Sequence, residues 1–203
     1  MKYKDWVGNA NSLYKIIGAS NHTDKEREQN DFYATEPITI DKLSKVFEIP
    51  KFIIEISAGN GHLSERLKEL GHTVISNDII ERDYKLDTIS DFLEWKNIPD
   101  NFSILTNPPY KYAKEFVLKS LDLLHRGGYC IMLLKLTFLE GKQRYKELFS
   151  KYPPKYLYVF SERVLCAKNG MFEQMRESGG SAVAYGWFIW EKGCTDETII
   201  RWL

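Results

Sequence analysis

Ile53-Ile54-Glu55-Ile56-Ser57-Ala58-Gly59-Asn60-Gly61-His62-Leu63 passes from an apolar run into a stretch with helical spacing through two glycines. Lys51 to Ile56 reads as a buried strand and Leu63 to Leu70 as the helix after it. Gly59 and Gly61 permit a sharp turn and a close backbone approach to a ligand, and the helix start adds unpaired N–H groups. The same alternation runs outward in both directions. Ile38 to Phe47 precedes it as a helix. Thr73 to Ser76, Phe102 to Thr106 and Tyr129 to Leu134 follow as strands. Between the last two lies a helix, Ala113 to Leu124, with Phe116, Val117, Leu121 and Leu124 on one face, stopped by Gly127-Gly128. Gln143 to Phe149 reads as a helix ended by Pro153-Pro154, and Tyr156 to Phe160 and Ser181 to Trp190 as a closing strand pair. Repeated β-α units of this kind predict a doubly wound α/β domain, with its ligand at the carboxyl ends of the central strands.

The 203 residues are 43% hydrophobic and carry 28 Lys and Arg against 28 Asp and Glu. No linker or repeat divides them, so one domain spanning 1–203 is expected, with 1–36 as an N-terminal segment, 51–95 as a cofactor half and 102–203 as a catalytic half. The longest apolar run, about Tyr129 to Leu134, is far short of the roughly 20 residues of a membrane span. The opening Met1-Lys2-Tyr3-Lys4-Asp5 starts no signal peptide, so no membrane partner and a cytoplasmic location are expected. Cys130, Cys166 and Cys194 are widely spaced and read as reduced. Residues 1–103 carry 13 basic and 18 acidic side chains, 104–176 carry 13 and 6, and 177–203 carry 2 and 4. The zero total therefore hides a basic stretch, which is either a set of solvated Lys-rich helix faces or a side that meets a polyanion.

Around the glycine turn the chemistry fits a dinucleotide poorly. Ser64 stands where a third glycine would permit close helix packing, and Glu55 is a poor neighbour for a pyrophosphate. An acid there suits a ligand with a cationic amino group and no phosphates, namely S-adenosylmethionine. Asp78, at the end of the next strand and followed by Ile79, can accept both ribose hydroxyls. Asp91-Phe92 has two readings: an acid and a ring for adenine, or a cap and anchor for a short helix.

Ile104-Leu105-Thr106-Asn107-Pro108-Pro109-Tyr110 is the most specific stretch. Two prolines remove two donors and fix φ twice, leaving a stiff loop that displays carbonyl oxygens. The Asn107 side-chain oxygen and the Pro108 carbonyl can accept both protons of an exocyclic amino group, exposing its lone pair, and Tyr110 can stack on a planar ring. Alignment with an electrophilic sulfonium methyl then needs no strong base.

With Asn107-Pro108-Pro109-Tyr110 after a strand, the glycine turn and Asp78, the sequence resembles the class I S-adenosylmethionine-dependent methyltransferases, in particular the adenine N6-methyltransferases of DNA. It is similar to small enzymes of that type encoded by phages and prophages, including over Gly18 to His22 and Lys135 to Gly141. The resemblance implies a Rossmann-like methyltransferase fold with a mostly parallel seven-stranded sheet and an antiparallel strand near the C-terminus. It implies that Asp31 to Pro37 is a cofactor-side motif with Tyr33 and Thr35 at the methionine end. Glu55, Ser57, Ala58, Gly59 and Gly61 would then hold the methionine portion, Asp78 and Ile79 the ribose side, and Asp91 and Phe92 the adenine. Asn107, Pro108, Pro109 and Tyr110 would form the catalytic loop, with Asn107 also at the cofactor. Phe172 is the nearest match to an aromatic that such enzymes place against a flipped base.

The implied partner is DNA, as a duplex with a flipped adenine or as a single strand. The sequence has no long insertion to read a target, so short loops or a specificity partner protein would do so. Lys111, Lys114, Lys142, Arg144, Arg163, Lys168 and Arg176 are candidates for phosphate contacts. An RNA adenine or a protein glutamine is the alternative acceptor, although glutamine-modifying relatives carry an extra helical domain. A non-catalytic S-adenosylmethionine-binding protein is the non-enzyme alternative. His22, His62, His72 and His125 show no metal-ligand spacing, and Trp187, Phe188 and Trp190 read as core residues alternating on a strand.

Overall fold

The computed structural model describes residues 33–168, 170, 172–177 and 183–203; the polar stretch Thr23 to Asn30 and the segment Gly18 to His22 lie outside them. Eight strands form the main sheet: β2 (Phe52–Glu55), β3 (Thr73–Asp78), β4 (Thr88–Ile89), β5 (Ser103–Thr106), β6 (Tyr129–Lys135), β7 (Tyr156–Val159), β9 (Tyr185–Glu191) and β10 (Ile199–Trp202). Their order is β10-β7-β9-β6-β5-β2-β3-β4. Every neighbouring pair is parallel except those made by β9, which runs antiparallel to β6 and β7. A separate two-stranded ribbon pairs β1 (Tyr33–Thr35) antiparallel with β8 (Cys166–Lys168).

Strand alternation sorts the core into two layers, since successive side chains point to opposite faces. Ile53, Leu105, Ile131, Leu133, Trp187 and Ile189 share one buried cluster with Ile40 and Leu43 of helix α1 (Ile38–Ser44) and Leu63 and Leu67 of α2 (His62–Glu69). Ile54, Ile104, Met132, Leu134, Phe188 and Trp190 face the other way, onto Phe116, Val117 and Leu121 of α3 (Ala113–Leu123). Each fully buried side chain of this size is worth about 1.5–3 kcal/mol, so the two layers hold the sheet between helices. The buried indoles keep partners: Trp187 donates to the Thr39 carbonyl at 3.1 Å and Trp190 to that of Tyr152 at 3.0 Å.

The doubly wound α/β architecture and the antiparallel strand agree with the sequence reading. The sheet is wider than the seven strands expected, because the polar-flanked Ile199–Trp202 adds a parallel edge strand beside β7. The expected helix at Gln143 to Phe149 starts as one α-helical turn, α4 (Lys142–Arg144), and continues as a π-helical turn, Tyr145–Phe149. No helix among the described residues is long and apolar enough to cross a membrane, and none of the three cysteines is disulfide-bonded.

Chain order reverses between β2 and β5. From β2 the chain winds through β3 to β4 on one side, and from β5 through β6 toward the other. That topological switch point opens a crevice at the carboxyl ends of the strands. The loops leaving β2 and β5 there are Ile56 to Gly61 and Asn107 to Tyr110.

Candidate active site

Asn107 is fixed by the ribbon that crosses the strand ends. Its Nδ2 donates to Thr35 Oγ1 at 2.9 Å and to the Tyr33 carbonyl at 3.3 Å, and lies 3.9 Å from Cys166 Sγ. With the amide nitrogen spent on β1, Asn107 Oδ1 is buried and has no hydrogen-bond partner. The Pro109 carbonyl accepts from the Tyr112 backbone N–H at 2.9 Å, which leaves Pro108 as the proline carbonyl beside Asn107.

Three buried oxygens without hydrogen-bond partners, Asn60 Oδ1, Thr106 Oγ1 and Asn107 Oδ1, lie on the two facing loops and the strand end between them, while the buried Tyr110 hydroxyl has Tyr185 and Cys166 as polar neighbours. Buried polar atoms are nearly always paired, so these oxygens stand out as unfilled acceptors.

Tyr110 stands in an aromatic group. Its ring centroid is 6.2 Å from Tyr33 and 6.1 Å from Tyr185, with Lys135 Nζ 4.5 Å from its own centroid. Burial raises the Tyr110 and Tyr185 hydroxyls, pushes the Cys166 thiol up to about 11 and lowers the Lys135 ammonium. Tyr185, Cys166 and Lys135 were not singled out in the sequence as parts of the site; each lies near a strand end, a position that becomes informative only once the strand order is known.

On the cofactor side, Glu55 ends β2 and is 2% exposed. Burial pushes its carboxyl up to about 8, opposed by hydrogen bonds from Ser64 and reinforced by the neighbouring Asp78 carboxylate. Ser64, in the place of a third glycine, thus donates its hydroxyl to Glu55. Asp78 Oδ2 accepts from the Gly59 N–H at 2.9 Å, and its Oδ1 accepts from Ile80 N at 3.3 Å and lies 3.6 Å from Arg82. Asp78 therefore pins the glycine loop to the end of β3. Ala58 N donates to the Asn77 carbonyl at 2.9 Å, and Ser57 lies at the start of the same turn. Ile79 beside Asp78 is 55% exposed, an apolar surface at the crevice.

Asn77 went unnoticed in the sequence, yet it is fully bonded: its amide donates to the Ile56 and Ser90 carbonyls, and its oxygen accepts from Thr88 and Ser90. It locks the strand ends that carry Asp78 and Asp91. A polar residue depleted from strands, inside a β-rich run, was the available signal.

Several expectations change. Gly61 has φ +73, and the space a side chain would fill holds the Tyr84 ring, 2.5 Å from an ideal Cβ, so on that side its close approach is to Tyr84. Asp91 caps the 3-10 turn Phe92–Glu94, accepting from Leu93 N at 2.9 Å. Phe92 is 2% exposed and packs on Trp95 and Phe116, so the cap-and-anchor reading holds for its ring, which is core and not a free face. Phe172 begins helix α5 (Phe172–Glu177) and meets His62 edge-on at 5.6 Å, at the glycine-loop end of the crevice; no described ring contact joins it to Tyr110.

The basic candidates divide. Lys114 pairs with Glu147 and Glu115, Arg176 pairs with Glu36, and Arg144 donates to the Thr137, Phe138 and Glu140 carbonyls of the segment before its helix. Lys111, Lys142 and Arg163 have no ion pair among the described residues, and the Lys168 side chain lies outside them.

No protein-family model and no curated protein matches the sequence. Solved structures do match in fold. A Listeria monocytogenes protein assigned to the class I S-adenosylmethionine-dependent methyltransferases aligns with a TM-score of 0.54 and 14% identity, over 82% of this chain and 63% of that one. A Lactococcus lactis protein assigned as a hemolysin gives 0.58 and 10%, over 84% and 94%. A modification subunit assigned to a type I restriction enzyme of Vibrio vulnificus YJ016 gives 0.55 and 12%, over 86% and 47%. The chain thus spans less than two thirds of the first and third of these proteins. At such identities the likeness is one of fold, and that fold is the Rossmann-like methyltransferase fold.

Proposed function

We propose that this protein is an S-adenosylmethionine-dependent methyltransferase that transfers a methyl group to the N6 amino group of adenine in DNA. The observation that carries the reading is Asn107, whose amide nitrogen is tied to Thr35 and Tyr33 while its oxygen is left buried and unpaired at the switch point of this fold. An acceptor held this way suits a donor with two protons on a planar nitrogen, with Asn107 Oδ1 taking one and the Pro108 carbonyl the other. Tyr33 and Tyr110 offer flat surfaces for the ring that bears it.

The crevice fits the cofactor on its own chemistry. Glu55 is an acid raised by burial, so a cationic amino group nearby would stabilise its carboxylate. The unpaired Asn60 and Thr106 oxygens accept further donors. Glu55, the Ser57 to Gly61 loop and Thr35 would hold the methionine end, Asp78 with Ile79 the ribose side, and Asp91 the adenine amino group. When bound, the cofactor supplies the electrophilic methyl. The chain's part is to orient the acceptor nitrogen, keep its lone pair free of hydrogen bonds and exclude water, which can account for much of a transfer rate.

A nucleic acid is favoured over protein by the basic, ring-lined surroundings of Tyr110, and DNA is chosen over RNA on the likeness to a restriction-enzyme modification subunit. Target choice would fall to short loops or to a specificity partner. Incubation with labelled S-adenosylmethionine and separate DNA, RNA and protein pools tests the reading: N6-methyladenine in DNA is the expected product, and label in RNA or protein alone overturns it.

A further inference from the structure

Beside Tyr110 lies a cavity of about 210 Å³ whose walls include Tyr110, Lys111, Lys114, Glu115, Gly141 and Arg144. Phe138 and Gly141, which also line it, belong to the stretch that leaves β6, makes the 3-10 turn Leu136–Leu139 and reaches Gly141 at φ +125. That turn is built around the Arg144 guanidinium. Nε donates to the Phe138 carbonyl at 2.8 Å, and Nη2 donates to Thr137 at 3.3 Å and to Glu140. The guanidinium carbon lies 5.2 Å from the Phe138 ring centroid. A Cβ at Gly141 would stand 3.1 Å from Nη2 and 3.2 Å from Cζ, so glycine there leaves room for the head group as well as permitting the backbone. Held in this way, Arg144 keeps its Nη1 hydrogens uncommitted among the described residues.

Lys111 has no ion pair among the described residues and sits 5.1 Å over the Tyr112 ring. Lys114 is compensated by Glu147 and Glu115. Three cations against one acid line the cavity, and the two that acids do not compensate, Lys111 and Arg144, lie with Tyr110 around it. A fixed guanidinium with free donors and a flexible ammonium is a donor set for phosphate oxygens.

We propose that this cavity is a phosphodiester subsite that takes the backbone phosphate beside the reacting base of a DNA strand; the inference rests on the DNA adenine function proposed above. A base at Tyr110 necessarily brings its own phosphates within one nucleotide of the cavity. The acceptor is then a strand, and a free nucleoside or a glutamine side chain lacks the group that this cavity binds.

The test uses the full chain and labelled oligo-dA, with binding measured across a salt series for wild type, Lys111→Gln and Arg144→Met. Each substitution is expected to weaken binding about threefold to tenfold and to reduce the slope of log K against log salt by about 0.7, the value for one single-strand phosphate contact. An uncharged methylphosphonate oligo-dA should bind weakly and not distinguish the variants. Lys111→Gln disturbs no described hydrogen bond, so it remains informative if Arg144→Met unfolds its turn. Unchanged affinity and slope in Lys111→Gln, with methyl transfer to DNA intact, overturn the subsite and leave the proposed function standing. The expected slopes without transfer to DNA overturn the function and leave the subsite. Tighter binding of oligo-A RNA with transfer to RNA overturns DNA as the source of the phosphate.

Discussion

Thr35 Oγ1 accepts a hydrogen bond from Asn107 Nδ2 at 2.9 Å across 72 residues of sequence. The contact joins the β1–β8 ribbon to the loop after β5, and it decides which end of the Asn107 amide faces the crevice. Without it the amide could turn, presenting donors where an acceptor is needed.

Thr35→Val removes the oxygen and keeps the shape. Loss of one hydrogen bond of about 0.5–1.5 kcal/mol predicts a rate of methyl transfer roughly twofold to tenfold lower. Asn107→Ala removes the acceptor itself and should lower the rate by about a hundredfold or more, as when a single preorganised group is lost from other active sites. Cofactor affinity, measured by calorimetry, should stay within about twofold for Asn107→Ala. A collapse of cofactor binding in Asn107→Ala would show that the residue serves the cofactor first.

The strand and helix order was legible because apolar periodicity survives in sequence, and the two loops at the switch point announced themselves through Gly59, Gly61 and the double proline. What surrounds those loops was not legible. Tyr185 and Cys166 reach Tyr110 only because β9 inserts beside β6 and β8 folds onto β1, pairings between segments that are distant in sequence, and Lys135 does so because β6 lies beside β5. Phe92 shows the converse: its neighbour Asp91 was recognised as a possible ligand or cap, but only the packing of Trp95 and Phe116 decides where the ring goes.

That pair separates fold from function by substitution. Phe92→Ala should cost about 3–5 kcal/mol of unfolding free energy, the range for a buried phenylalanine. Asp91→Asn retains an acceptor for Leu93 N, so stability should change by less than about 1 kcal/mol while cofactor affinity falls several-fold. Denaturant unfolding and calorimetry on the same two variants check both. A stable Phe92→Ala with weak cofactor binding would return the ring to the ligand.

Gly61 is predicted to be intolerant for two separable reasons. Its left-handed φ costs any other residue about 1–2 kcal/mol, and an added Cβ strikes the Tyr84 ring. Tyr84 is held in place by a hydrogen bond to Glu65 at 2.7 Å and another from Lys68 at 2.8 Å. Gly61→Ala should therefore destabilise by more than the backbone share, and in the Tyr84→Ala background only the backbone share should remain. A double-mutant cycle in urea measures the difference; additive effects would mean that the ring moves aside freely.

Glu55 links the fold to pH. Its ordinary value is 4.5 and burial raises it to about 8 in the folded chain. Between those values the unfolded chain has released the proton and the folded chain still holds it. The stability tied to this group is therefore fully present below about 4.5, declines as pH rises and is lost once pH passes about 8. The whole effect is on the order of 5 kcal/mol at most. Glu55→Gln, which cannot ionise, should flatten that part of the pH profile of unfolding. A cationic amino group of the cofactor would favour the carboxylate, so binding at neutral pH should release a proton, and affinity should rise from pH 6 toward 8. Calorimetry in two buffers of different ionisation enthalpy reads the proton directly. Proton release in wild type and none in Glu55→Gln is the expected pair; binding that ignores pH and buffer in wild type would remove Glu55 from the cofactor site and leave it a buried partner of Ser64.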